Sequence, residues 1–190
     1  MRLGPAVLAA GVALGGVSAA LAGGSDPVAR ECNTSVYGAL GNDWLPTSVV
    51  TGSLAFVRAK DYARSRSRFG TVGGGRYRAS KLLVVVQTGW VARVVVPARQ
   101  RAKVALQYAP EDFNKAVVPA DSEHDVTFTA CPPRRPFIGP ASARYTQFNG
   151  GIVVAGRRCV TLAVYAAKQG HPLPSAPRRA RLSFGVGSCP

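Results

Sequence analysis

Acidic residues are scarce in this chain: 9 Asp and Glu stand against 24 Lys and Arg, for a formal net charge of +15. Charge of either sign is sparse too, at 17% of residues against 47% hydrophobic. An average soluble protein carries roughly 25% charged residues, so this composition excludes a long disordered polyelectrolyte. Histidine is nearly absent, with His124 and His171 the only two, and no Gly-x-Ser-x-Gly elbow accompanies them. Neither a phosphate-cradling P-loop nor a dinucleotide fingerprint occurs, so no nucleotide cofactor is expected. No Cys-x-x-Cys pair is present, and the histidines are remote from the cysteines, so no metal is expected either. No convincing amphipathic helical pattern runs through the chain. Beyond the first 22 residues no apolar run spans a bilayer, since Leu82 to Val86 is only strand length.

What is present begins at the N-terminus. Arg2 precedes an apolar, Ala/Gly-rich run from Leu3 to Ala20 that ends in Ala20-Leu21-Ala22, small residues where a signal peptidase cuts. The expectation is an exported protein, secreted or associated with the cell envelope, with residues 1–22 removed as a signal peptide. Gly4, Gly11, Gly15, Gly16 and Ser18 make the run weakly hydrophobic for a permanent span, which leaves retention as the rival reading. A lipid anchor needs a cysteine at the cleavage point, and Cys32 instead follows Ala29-Arg30-Glu31. The remaining 168 residues suit one domain, able to bury about 70% of its unfolded surface.

Four cysteines follow the leader: Cys32, Cys131, Cys159 and Cys189. In an exported chain an even count reads as two disulfides with three possible connectivities. The preferred one joins Cys131 to Cys159, as ends of neighbouring strands, and Cys32 to Cys189, tying the N-terminal segment to the last strand. Each bridge is worth about 3–5 kcal/mol by the chain-entropy model.

Residues 23–47 show little periodicity and read as an irregular arm; residues 48–190 read as the folded domain. From Val49 the apolar period is two. Leu54 and Phe56 alternate with Ser53, Ala55 and Val57, and Leu82 to Val86 is apolar on both faces, as in a central strand. Thr88-Gly89 reads as a hairpin break before Trp90 to Val96. Ala102, Val104, Leu106 and Tyr108 mark a half-buried strand; Val126 and Phe128 alternate with Thr127 and Thr129. Asn149-Gly150, between Tyr145–Phe148 and Gly151–Val154, is the strongest hairpin signal. Val160, Leu162 and Val164 make another strand, and Leu182, Phe184 and Val186 the last. About nine short strands, with 21 glycines and 14 prolines for turns, predict an all-β antiparallel β-sandwich, immunoglobulin-like or jelly-roll-like. No Trp lies between Cys131 and Cys159, which argues against an immunoglobulin domain proper.

The run Thr146-Gln147-Phe148-Asn149-Gly150-Gly151-Ile152-Val153-Val154-Ala155-Gly156-Arg157-Arg158-Cys159 resembles a signature of small exported proteins of actinobacteria. Gly75-Arg76-Tyr77-Arg78-Ala79 and Phe184-Gly185-Val186-Gly187-Ser188-Cys189 are similar in the same way. The resemblance implies export and paired cysteines, and no particular activity.

Charge carries the functional content. Residues 58 to 103 hold twelve basic residues and one acid, Asp61, for a net of +11. Arg64, Arg66, Arg68, Arg76, Arg78 and Lys81 are the candidate site. An extended 64–68 segment puts three arginines on one face, and Gly73-Gly74-Gly75 brings Arg76 and Arg78 beside them. Such a patch draws phosphate or carboxylate polymers by counterion release, which outside a cell means cell-wall or membrane-surface polyanions. Nucleic acid is not the default partner in that compartment. The plain alternative is a surface that arginine keeps soluble.

Other features carry less. Glu111, Asp112, Asp121, Glu123 and Asp125 form an acidic stretch in which 121, 123 and 125 have the alternation of a calcium loop, but Val126 stands where that loop needs Gly. His124 between two carboxylates suggests a triad-like orientation, whereas His171 before Pro172 reads as an exposed turn. Trp44, Trp90, Phe56 and Phe148 would form a sugar platform if exposed, and core if not. The function expected is thus a non-enzymatic module binding an anionic envelope component. A protein-interaction or scaffold module pairing at a strand edge is the alternative, and a secreted hydrolase the second.

Overall fold

The computed structural model describes residues 27–41, 43–64, 70–72, 76–112, 118–133 and 144–190. The segment expected to be a signal peptide, Arg66, Arg68 and Gly73-Gly74-Gly75 lie outside the described residues. Thirteen strands occur among them. They are β1 (Val28–Arg30), β2 (Val49–Thr51), β3 (Leu54–Phe56), β4 (Gly70–Val72), β5 (Tyr77–Lys81), β6 (Val84–Gln87) and β7 (Trp90–Val95). Then follow β8 (Val104–Gln107), β9 (Asp125–Thr129), β10 (Tyr145–Phe148), β11 (Gly151–Ala155), β12 (Arg158–Lys168) and β13 (Arg178–Phe184).

The expected β-sandwich is the fold. One layer is a five-stranded sheet in the order β1-β9-β7-β12-β13. The other contains two four-stranded sheets, β10-β6-β3-β2 and β4-β5-β11-β8. Strand alternation explains the packing: Val94, Val126, Phe128, Leu162 and Leu182 of the first layer meet Phe56, Val84, Phe148, Leu106 and Ile152 of the second, all fully buried. Burying such a side chain contributes about 1.5–3 kcal/mol. Phe56 and Phe148 are therefore core, and Trp90 packs against it. Trp44 covers the outer face of the β10-β6-β3-β2 sheet, edge-on to Tyr145 at 5.5 Å, so the four aromatics form no common platform. That cover also explains why Val85 is buried on the face opposite Val84.

The two four-stranded sheets are halves of one bent ribbon. Tyr145 faces Gln87 and Phe148 faces Val84; across the break Gly151 faces Lys81 and Ala155 faces Tyr77, in unchanged register. The Leu82 amide donates to the Gly150 carbonyl at 2.9 Å and carries the pairing through the bend. Asn149-Gly150 is consequently no hairpin turn, because β10 and β11 pair with β6 and β5 and not with each other. A type I′ turn needs positive φ at both central residues, and Gly150 is not among the positive-φ glycines. Its lack of a side chain serves a close approach instead. A Cβ there would sit 2.1 Å from Cδ1 of the Tyr108 ring, which is fully buried.

Tyr108 props this bend. Its hydroxyl donates to the Leu82 carbonyl at 2.6 Å, and burial raises its pKa well above that of a free tyrosine. A raised folded-state value means stability that is full below pH about 10 and lost as pH climbs past it. Tyr108→Phe removes one buried donor and is expected to cost about 1–2 kcal/mol in urea unfolding at pH 7. The gap between wild type and variant should narrow above pH 10, and a constant gap would show that Tyr108 is not the group held neutral.

Three further expectations are corrected. Thr88-Gly89 does not close a hairpin: β6 and β7 lie in opposite layers, and Gly89, with φ of 78°, carries the chain across. The stretch read as an irregular arm contains β1, a short helix α1 (Trp44–Thr47) and a single 3-10 turn at Cys32–Thr34. Strand β1 pairs in parallel with β9, a contact across nearly a hundred residues that local periodicity does not announce. The last strand stops at Phe184, because Gly185 and Gly187 turn the chain with φ of 71° and 75°, leaving Val186 exposed.

The four cysteines form two disulfides, Cys32–Cys131 and Cys159–Cys189, rather than the preferred pairing. Strand order gives the reason. Strands β9 and β12 both run antiparallel to β7, so the end of β9 and the start of β12 lie at opposite ends of the sheet. Thr129 and Ala167 both face Val91, which sets Cys159 about 26 Å along β12 from that level. Cys32 instead follows β1, the parallel neighbour of β9, and its Cα lies 4.7 Å from that of Cys131. Disulfides persist in oxidising compartments, and this pair is consistent with an extracellular protein.

Candidate functional site

Strand register gathers positive charge at one end of the bent ribbon. Val154 faces Arg78 on one side and Val104 on the other. One step on, Ala155 faces Tyr77, and its amide donates to the Lys103 carbonyl at 2.8 Å. Arg76 and Arg78 at the start of β5, Lys103 before β8, and Arg157 and Arg158 after β11 are thus brought together. Arg76, Lys103 and Arg157 are exposed, while Arg78 and Arg158 are half-buried. Arg158 Nε donates to the Ala155 carbonyl at 2.5 Å, holding that side chain at the strand end.

The C-terminal segment links this end to Arg64. Arg157 Nε donates to the Gly185 carbonyl at 2.6 Å. The Gly185 amide donates in turn to the Tyr62 carbonyl at 2.9 Å, and the Gly187 amide to the Ala63 carbonyl at 3.0 Å. Arg64 follows directly, exposed, after the 3-10 turn Ala59–Ala63. Of the six predicted residues, Arg64, Arg76 and Arg78 therefore lie in this region. Lys81 is set apart, because it points to the opposite face of β5 from Arg78, about 10 Å along the strand. Lys103, Arg157 and Arg158 were missed. Their signal was available: each flanks a strand, where a charge escapes the core.

Beside Arg64 lies an open groove of about 620 Å³ between the Ala59–Ala63 turn and β13. Lys60, Arg64 and Arg181 line it, with Asp61 the one carboxylate and Ser188 and Cys189 on the tail side. Asp61 is engaged by Arg58, whose Nε lies 2.8 Å from Oδ2. Lys60 Nζ donates to the Pro46 carbonyl at 2.9 Å, and Arg181 to the Pro190 carbonyl. Backbone strain is stored at the same place: Arg58 has φ of 55°, a left-handed conformation uncommon outside glycine.

Glu123, Asp125 and His124 are each engaged by neighbouring groups of the fold. Glu123 is buried and accepts the Tyr108 and Ala109 amides at 2.8 and 2.6 Å. Asp125 forms a two-pronged pair with Arg93, Nε to Oδ1 at 2.8 Å and Nη2 to Oδ2 at 2.5 Å, which raises the Arg93 pKa further. The acidic stretch and the basic region 58–103 meet at this pair. His124 Nε2 lies 3.2 Å from the Arg101 carbonyl. Among the described residues no group of three or more His, Cys, Asp or Glu is placed to hold a metal ion.

One arginine that drew no notice in the sequence is structural. Arg30 ends β1 and is only 2% exposed. Its guanidinium donates to the carbonyls of Tyr108 at 2.5 Å, Asn149 at 3.0 Å and Thr34 at 2.9 Å, and to Thr34 Oγ1 at 3.0 Å. Burial lowers its pKa, and the charge of Glu123 opposes that shift. The carbon ζ lies 6.0 Å from the centre of the Phe148 ring. Arg30 and Arg93 thus serve the fold, whereas Arg64, Arg76, Lys103, Arg157 and Arg181 are exposed.

No protein-family model matches this chain, and no curated protein matches it as a relative.

Proposed function

We propose that this is an exported, non-enzymatic module that binds an anionic component of the cell envelope through the basic end of its sandwich. The observation that carries the reading is the convergence of Arg76, Arg78, Lys103, Arg157 and Arg158 on one end of the ribbon, with Arg64 joined through the C-terminal segment. A surface of this kind gains affinity by releasing the counterions of a polyanion, and arginine forks match phosphate oxygens. Two disulfides suit the exported setting, and among the described residues no helix is long and apolar enough to cross a membrane.

Pairing with a protein at a strand edge is less well supported. Strand β13 presents exposed Arg178, Arg179 and Arg181, the kind of charge that guards an edge. The edges at β10 and β8 carry bridges from Val36 and Glu123.

The test is pelleting of the oxidised protein with cell-wall sacculi, with and without teichoic acid, across a salt series. Retention should need the anionic polymer and fall linearly in log–log form with salt. Arg76→Gln, Arg78→Gln and Lys103→Gln together should flatten the slope by about one unit per lost phosphate contact. Retention that survives high salt would replace this reading with a protein partner.

A further inference from the structure

We propose that the groove between the Ala59–Ala63 turn and β13 is a discrete site for a phosphate ester carried on a polyol or sugar, the anionic repeat of an envelope polymer. This rests on the envelope-binding reading and narrows it, from a charged surface to a shaped site with one ligand class.

Size is the first argument. The groove measures about 620 Å³, several times what a bare phosphate fills and within the roughly 300–1,000 Å³ of small-molecule sites. A phosphate with an attached polyol or sugar fits that space. Charge is the second. Lys60, Arg64 and Arg181 line it against Asp61 alone, and Asp61 is already paired with Arg58. Lys60 and Arg181 each use a donor on a backbone carbonyl, which fixes their position and leaves further N–H groups for a ligand. Two planar guanidinium forks with one compact ammonium suit the several acceptor oxygens of a phosphate better than a carboxylate. Val49 and Ala59 supply apolar lining for the carbon skeleton.

Preorganisation is the third argument. The wall formed by the C-terminal segment is tied to the turn by the Gly185 and Gly187 amides and to β12 by the Cys159–Cys189 disulfide. Cys189 itself lines the groove. The cavity therefore exists before a ligand arrives, so less ordering cost opposes binding. The strained Arg58 precedes the same turn and pairs with Asp61, which offsets that carboxylate's charge in the groove.

The experiment is an NMR titration of the isotopically labelled, oxidised full chain with glycerol 1-phosphate, with glycerol and sodium sulfate as controls at matched ionic strength. The expected result is saturable shifts at Ala63, Gly187 and Ser188 with the phosphate ester, absent with glycerol and weaker with sulfate. Arg64→Gln with Arg181→Gln should weaken binding about tenfold or more, and Arg76→Gln with Arg78→Gln should change it by less than about twofold. Diffuse shifts, equal response to sulfate, or equal loss in both variants would overturn the site. The same variants are then assayed on polymer-bearing sacculi. Wild-type retention of the polymer by the groove variant removes the groove and leaves the envelope reading standing. Saturable phosphate-ester binding in the groove without polymer retention keeps the groove and removes the envelope reading.

Discussion

Gly150→Ala is expected to cost more than about 3 kcal/mol, or to prevent folding altogether. The new Cβ would lie 2.1 Å and 2.4 Å from Cδ1 and Cε1 of Tyr108. Neither partner can yield: one is backbone inside a continuous ribbon, and the other is a ring with no exposure, anchored through its hydroxyl on Leu82. Gly156→Ala is the control, because nothing lies within 4 Å of a Cβ there and only its φ of 64° opposes the substitution. That strain should cost about 1–2 kcal/mol. A second variant keeps the argument testable if the first does not fold: Gly150→Ala with Tyr108→Leu relieves the clash and should recover part of the loss. Equal effects at 150 and 156 in urea unfolding would show that the Tyr108 ring does not bar a side chain at Gly150.

The second large effect is expected at Arg30. Replacing it with methionine preserves much of the volume but strips donors from the carbonyls of Tyr108, Asn149 and Thr34 and leaves Glu123 without its nearby cation. Removing one member of a buried charge cluster costs about 3–5 kcal/mol. Arg30→Met with Glu123→Gln should be more stable than the sum of the two single losses predicts, with a coupling of about 1–3 kcal/mol. Strict additivity in a double-mutant cycle at pH 7 would mean that the two charges do not act together. Removal of the exposed cations Arg64 or Arg76 should change stability by less than about 0.5 kcal/mol.

These two sites show where sequence reading runs out. Alternation at Val126 and Phe128 against Thr127 and Thr129, or at Val160, Leu162 and Val164, was enough to specify strands and a two-layer fold. A glycine after asparagine was not enough, because the missing Cβ serves both a left-handed turn and a close backbone approach, and only the ring of Tyr108 distinguishes them. Cysteine pairing needed strand order: that β9 and β12 flank β7 cannot be read from spacing. Arg30 was hidden because its acceptors lie 78 and 119 residues away. The candidate site was half legible. Arg76 and Arg78 follow from charge clustering, yet their companions come from β8 and β11, and pairing register alone joins them. The separation of Lys81 from Arg78 was readable, since an odd spacing on a strand sends two side chains to opposite faces.

The parallel pairing of β1 with β9 also governs how the chain can be assembled as it emerges from a ribosome or a translocation pore. The five-stranded layer draws on residues near 28, 90, 126, 160 and 180, so its first strand has no neighbour until Val126 arrives and its edge is not complete until Phe184. Domains dominated by such distant contacts fold in milliseconds to seconds, long after their first residues appear. For most of its emergence the nascent polypeptide therefore holds Cys32 as an unpaired thiol beside unsatisfied strands. The next cysteine to emerge is Cys131, its native partner, so the right bond can form before Cys159 or Cys189 appears. Oxidation that waits until β9 is in place is the route that yields the native Cys32–Cys131 bridge.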